Sequence, residues 1–178
     1  MSNYLELCKK VFLQYKVLGE KAMEQLDEKQ LNWAPSSESN SIALIVKHLY
    51  GNMLSRFTDF LTTDGEKEWR NRDNEFITQK SITHDELYWM WEDGWALFFR
   101  TLESLTEADM DKKVKIRGEE HNVMEALQRQ TAHYSYHIGQ IVYLAKAAKD
   151  KDWKSLSIPK NKSKEFNDKM MGKANKER

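Results

Sequence analysis

Gln130-Thr131-Ala132-His133-Tyr134-Ser135-Tyr136-His137-Ile138-Gly139-Gln140 lies inside an apolar helical pattern, at positions where a soluble protein normally places Leu, Ile and Val. The inward stripe of this stretch carries Gln130, His133, His137 and Gln140 instead. Residues four apart on a helix stack on one face, so the two imidazoles point the same way. Two buried imidazoles side by side must be hydrogen-bonded or share a ligand, or they cost stability. Working outward, Asn122 with Glu125 three residues later reads as a capping box, and the pattern continues to Lys149. The spacing therefore predicts one long helix over residues 123–149.

Three further amphipathic helices precede it. Leu5, Cys8, Phe12, Tyr15, Ala22 and Leu26 follow helical spacing over residues 4–26. A second helix is predicted over residues 42–61, with Asn40 or Ser41 as its N-cap. Its inward stripe runs Ile45 (or Leu44), His48, Asn52 and Ser55, so imidazole again stands where aliphatic packing is expected. Thr83-His84-Asp85-Glu86 is a capping box that opens a third helix reaching about residue 105, with Leu87, Trp91, Trp95, Phe98 and Leu102 on one face. That aromatic stripe reads as core, with Trp91 or Trp95 also available to wall a pocket.

The connections carry their own signals. Residues 27–40 read as a turn-rich link anchored by Leu31 and Trp33, in which Pro35 blocks helix continuation. Residues 62–82 are long for a loop and read as a crossover along the bundle, pinned by Trp69 and Phe76, with a lid as the lesser option. Thr106 to Met110 suits one short helical turn, and the segment Val114 to His121 alternates around Gly118 as a small hairpin. Beyond the last helix, Trp153, Leu156, Ile158 and Pro159 suit a docked extended segment. From Lys160 the composition predicts a mobile end with at most Phe166 anchored. The expected organisation is an all-α four-helix bundle over residues 1–150, joined by long crossovers, and an extended tail over 151–178.

Bulk composition narrows the function classes. Lys+Arg and Asp+Glu are both 28, which gives no general attraction to nucleic acid or anionic membrane. Only Lys160, Lys162 and Lys164 form a basic run, and it reads as a solvated end. The start of the chain lacks a signal-peptide pattern, and no apolar run approaches the about 18–20 residues needed to span a bilayer. The single cysteine, Cys8, falls on an apolar helix face; it reads as a core residue and suits a reducing, cytoplasmic location. Gly-rich phosphate loops, serine nucleophile elbows and zinc-finger cysteine patterns are absent from the sequence.

Bundles build metal sites from inward side chains on facing helices. His133 and His137 offer a pair on the fourth helix, and His48 on the second offers a third nitrogen. Three neutral imidazoles with an open position match a catalytic rather than a structural zinc-type site. Neither stripe carries an inward carboxylate, which disfavours a di-iron bundle. Asn52, Gln130 and Gln140 suit groups that orient imidazoles or hold ligand water. Equally, the same residues could close a metal-free polar network. His84 and His121 lie at helix caps and read as exposed, and Tyr134 and Tyr136 read as packing or interface residues rather than acid catalysts. No residue is singled out as a general acid or base.

His48-Leu49-Tyr50-Gly51-Asn52, together with His133-Tyr134-Ser135-Tyr136-His137-Ile138-Gly139-Gln140, resembles the DinB-like superfamily. The likeness covers about residues 4–150. Leu156-Ser157-Ile158-Pro159 and the Lys-rich sequence up to Phe166-Asn167 look like the tail of an uncharacterised bacterial subfamily. The resemblance implies a bundle of unusual connectivity, commonly a homodimer, with His48, His133 and His137 holding one divalent metal, often nickel or zinc. Relatives include metal-dependent hydrolases and transferases of low-molecular-weight thiols. The expected activity is hydrolysis, or thiol transfer to a small electrophile, with no nucleic-acid or membrane partner. The rival expectations are a non-enzymatic metal-binding or stress-related bundle and a purely structural one with a His/Gln/Asn core.

Overall fold

The computed structural model describes residues 4–77 and 80–174. Helix α1, Tyr4–Met23, buries Leu5, Cys8, Phe12, Ala22 and Met23 along one side. A single-turn helix α2, Glu28–Leu31, is capped reciprocally by Asp27 and Gln30 and buries Leu31. Ser41 Oγ accepts the Leu44 N–H to start α3, Ile42–Phe57. That helix stops four residues short of the predicted end, because the chain turns through Asp59 in the left-handed region at φ 50°.

The crossover that follows contains α4, Arg72–Glu75, started by Asn71, whose Oδ1 accepts the Asn74 N–H. Thr83 and Glu86 form the predicted capping box of α5, His84–Ser104. A 3-10 turn, Glu107–Asp109, leads into strands β1, Lys113–Ile116, and β2, Glu119–Asn122. These pair antiparallel in the register Lys113 to Asn122 and Ile116 to Glu119. Arg117 and Gly118 connect them with φ values of 56° and 78°, the twist that a two-residue hairpin turn requires. Asn122 and Glu125 then cap α6, Val123–Lys149, whose 27 residues extend about 40 Å at 1.5 Å per residue.

The protein is thus all-α with one minor hairpin. Helix α1 packs on α6 and α3 on α5, and the two pairs close through α3 against α6 and α1 against α5. Each long helix sends an aromatic ring to the centre. Phe98 of α5 meets Phe12 of α1 at 4.5 Å, Phe57 of α3 at 4.6 Å and Tyr134 of α6 at 5.7 Å, all edge to face. Trp91 and Trp95 are buried in this core, and neither lines a cavity beside the histidines. Cys8 is buried as well.

Several expectations need correcting. Trp69 is 58% exposed and Trp33 40% exposed, so neither anchors its connection. Glu75 and the half-buried Phe76 hold the crossover in place. His121 is half-buried rather than exposed, while His84 lies in solvent against the Tyr88 ring. Past Lys149, Trp153 and Leu156 pack on the bundle, but Ile158 is 39% exposed. The end is not simply extended: Ser163–Ala174 forms a helix, α7, that leaves Phe166, Met170 and Met171 exposed. Among the described residues, no helix is long and apolar enough to cross a membrane.

Candidate metal centre

The seam between α3 and α6 holds the three histidines. His48 is buried on α3, one turn before Asn52, and His133 and His137 stand one turn apart on α6. Helical spacing aims all three rings into the seam. One ligand atom from each residue lies within 4.8 Å of the others. The Nε2 atom of His133 is 3.3 Å from His48 Nε2 and 3.1 Å from His137 Nε2.

The outer nitrogens fix the tautomers of two rings. His48 Nδ1 is 2.8 Å from Glu75 Oε2, and a carboxylate can only accept, so Nδ1 carries the proton. His137 Nδ1 is 2.8 Å from Gln140 Oε1 and donates for the same reason. Both Nε2 atoms therefore turn bare lone pairs toward His133. His133 lies between them, and its own Nδ1 is buried with no partner among the described residues. One N–H at His133 Nε2 can serve only one of the two lone pairs well. Three neutral rings thus do not form a closed hydrogen-bond network.

A divalent cation would meet all three lone pairs at once. With metal–nitrogen bonds of about 2.0–2.1 Å, neighbouring ligands in tetrahedral or octahedral sites stand about 2.9–3.4 Å apart. Two of the three separations, 3.1 and 3.3 Å, fall in that interval, and the third, between His48 and His137, is held within 4.8 Å. The resistance of two of these rings to protonation also favours a cation. Burial pushes His133 down to about 3, and the neighbouring His137 and His48 add to the effect. Burial likewise lowers His137 to about 4, against the opposing hydrogen bond to Gln140. Neutral imidazole, the form that ligates metal, is the state the fold selects at pH 7.

Around the rings lies a layer of polar contacts that the stripes did not disclose. Glu75 arrives from α4 in the crossover and is buried. Its Oε1 accepts from Arg70 Nε at 2.8 Å, and its Oε2 accepts from Arg70 Nη2 at 3.1 Å. Burial pushes the Glu75 carboxyl up, but the hydrogen bonds from His48 and Arg70 outweigh it and hold the group below the usual range. Gly51 makes room for this carboxylate, since a Cβ at that position would overlap Glu75 Oε1. Phe76 stacks on His48 at 5.1 Å, and the Arg72 guanidinium lies 5.5 Å from the other ring centre of that stack, Phe76. Asn52 and Gln130 bond to each other rather than to an imidazole: Asn52 Oδ1 accepts from Gln130 Nε2 at 2.7 Å and from the Tyr134 hydroxyl at 3.2 Å. Of the three polar residues read as ring-orienting, Gln140 alone contacts a histidine nitrogen among the described residues.

A cavity of about 490 Å³ opens beside the three rings. Asn52, Gln130 and Gln140 reach it, as does the exposed Tyr136. Its charged lining consists of Arg56, Arg70, Arg72, Arg117 and Arg129. These arginines and Glu75 come from five separate elements or loops, so no spacing in the sequence pointed to them.

With the bundle, the histidine seam and its hairpin in view, residues 1–162 match the family described as "Protein of unknown function (DUF1572)". The chain belongs to this family. DUF1572 is a DinB-like family, which agrees with the all-α fold. All of α7 lies beyond the matched residues. No curated protein matches the chain.

Proposed function

We propose that this DinB-like protein is a metal-dependent enzyme in which His48, His133 and His137 hold one divalent ion, nickel or zinc, for hydrolysis or for transfer of a low-molecular-weight thiol to an electrophile. A bound divalent ion of this kind supplies Lewis acidity, lowering the pKa of water or a thiol so that a nucleophile is available at neutral pH. The protein's own residues set the conditions. Glu75 and Gln140 hold the outer ring nitrogens, which keeps the inner lone pairs of His48 and His137 directed into the seam. Arg70 holds Glu75 in turn, through two hydrogen bonds. Only one cysteine is present and it is buried away in α1, so a thiol nucleophile would have to come from a small molecule.

The observation that carries the enzymatic reading is the cavity. At about 490 Å³ it falls within the range of small-molecule sites, about 300–1,000 Å³, and the three imidazoles form part of its wall. A sensor or storage site needs no such opening. A purely structural polar core is disfavoured by the facing lone pairs of His48 and His137. The test is to supply the metal-loaded protein with ester, amide and halide electrophiles, with and without low-molecular-weight thiols. Turnover that disappears in His133→Ala is expected. Absence of turnover for every class, in both conditions, would overturn the enzymatic reading.

A further inference from the structure

The chain contains seven arginines among its 28 basic residues, and the rest are lysines. Five of the seven arginines line the cavity beside the histidines, and among the described residues no lysine and no acidic residue lines it. An ordinary solvated surface of this protein would show mostly lysine. Arginine differs in kind: its planar fork gives paired hydrogen bonds to a carboxylate or a phosphate, and it stays charged when partly buried.

The five guanidiniums are not neutralised by their surroundings. Glu66 Oε2 is shared, taking Arg56 Nη2 at 3.2 Å and Arg117 Nε at 2.9 Å. Glu75 is committed to Arg70 and His48. Asp64 lies near Arg56, but its oxygens take the backbone N–H groups of Glu66, Arg117 and Gly118. Arg72 rests over Phe76, and neither it nor Arg129 makes an ion pair with any described residue. Five positive charges therefore face three carboxylates placed behind the wall, and a bound divalent ion would widen the excess. Like charges gathered around one concave space repel each other unless an anion enters. The fold holds them there through specific contacts: the fork on Glu75, the shared Glu66, and the hairpin turn that carries Arg117, tied to Asp64.

From this placement we infer that the cavity binds a small anionic ligand, one whose carboxylate or phosphoryl group is gripped by Arg72 and Arg129 while its reactive end faces the three histidines. The inference deepens the enzymatic reading by naming a substrate class, and it rests on that reading only for what happens after binding. Arg72 and Arg129 are the natural grips because their guanidinium groups have no competing carboxylate. Arg56 and Arg70 are already engaged and supply a positive floor.

Isothermal titration of the full-length protein, in a low-chloride buffer, with inorganic phosphate and separately with malonate tests it. Both the metal-loaded and the metal-free forms are titrated. Saturable binding of at least one anion is expected, with Arg72→Gln and Arg129→Gln each weakening it at least tenfold and Arg100→Gln, exposed on α5, leaving it unchanged. Metal content should be the same in all three variants. A preference for phosphate assigns a phosphoryl group, and a preference for malonate a carboxylate; either supports the inference. Binding of neither anion to either form, or binding that Arg72→Gln and Arg129→Gln leave intact, overturns it. Failure to take up metal would overturn the proposed function instead, because anion binding to the metal-free form is read independently.

Discussion

Replacing Glu75 with Gln tests whether the crossover is part of the metal centre. In the folded protein the Glu75 carboxylate accepts from Arg70 twice and from His48 once, with side chains of Arg70 and Glu75 only 2% and 8% exposed. Gln in its place retains one acceptor oxygen but no charge, leaving Arg70 buried without its counter-ion. Breaking a buried pair from one side costs about 3–5 kcal/mol. For a chain of this size that lowers the midpoint of thermal unfolding by about 6–20 °C, at roughly 2–4 °C per kcal/mol. A second effect should appear in metal affinity. Loss of a partner that orients a ligating imidazole weakens binding about 10–100-fold, or about 1.4–2.7 kcal/mol. The two effects separate in Arg70→Met/Glu75→Gln, where removing both charges restores part of the stability while metal affinity stays low. Calorimetric unfolding of the metal-free proteins and titration with zinc and nickel measure each quantity. Wild-type affinity in Glu75→Gln, with the protein folded, would refute the role given to this residue.

Other outcomes follow from the same geometry. Gly51→Ala places a methyl group against Glu75 Oε1, so it should weaken metal binding in the same direction as Glu75→Gln while leaving helix content unchanged by circular dichroism. In the metal-free protein, His133 and His137 are held neutral far below the ordinary histidine value. The unfolded chain takes up protons below about pH 6.5 that the folded rings refuse, so stability is fully present above that pH and falls on acidification until the folded values, about 3 and about 4, are reached. For His133 the loss between about pH 6.5 and 5 is at most roughly 2 kcal/mol, and His137, whose folded value is less depressed, contributes less. Denaturant unfolding at pH 7 and pH 5 should show this slope in wild type and a shallower one in His133→Asn; equal slopes would contradict it.

The helices and the three-histidine cluster were legible because both depend on local spacing. Reciprocal caps at Thr83 with Glu86 and at Asn122 with Glu125 marked two helix starts, and polar residues in two otherwise apolar stripes marked the seam. The surroundings of the site were not legible. Glu75 lies 27 residues from His48, and Arg56, Arg117 and Arg129 reach the cavity from α3, the hairpin and α6. Such residues converge only through the tertiary fold, and in a chain with 28 acidic and 28 basic residues none stands out alone. Trp33 and Trp69 misled for the opposite reason: a large apolar side chain in a connection looks like an anchor, yet singly exposed apolar residues are ordinary. Helix α7 was missed because sparse apolar content suggests a tail, while its Lys, Glu, Met and Ala residues have good helix propensity without needing a core.

Elemental analysis of the untagged protein, purified without chelator, bears most directly on the three-histidine site. One divalent ion per chain is expected in wild type and in His84→Ala, whose ring lies in solvent, and none in His133→Ala. A His133→Ala protein that keeps the wild-type metal content would contradict the account.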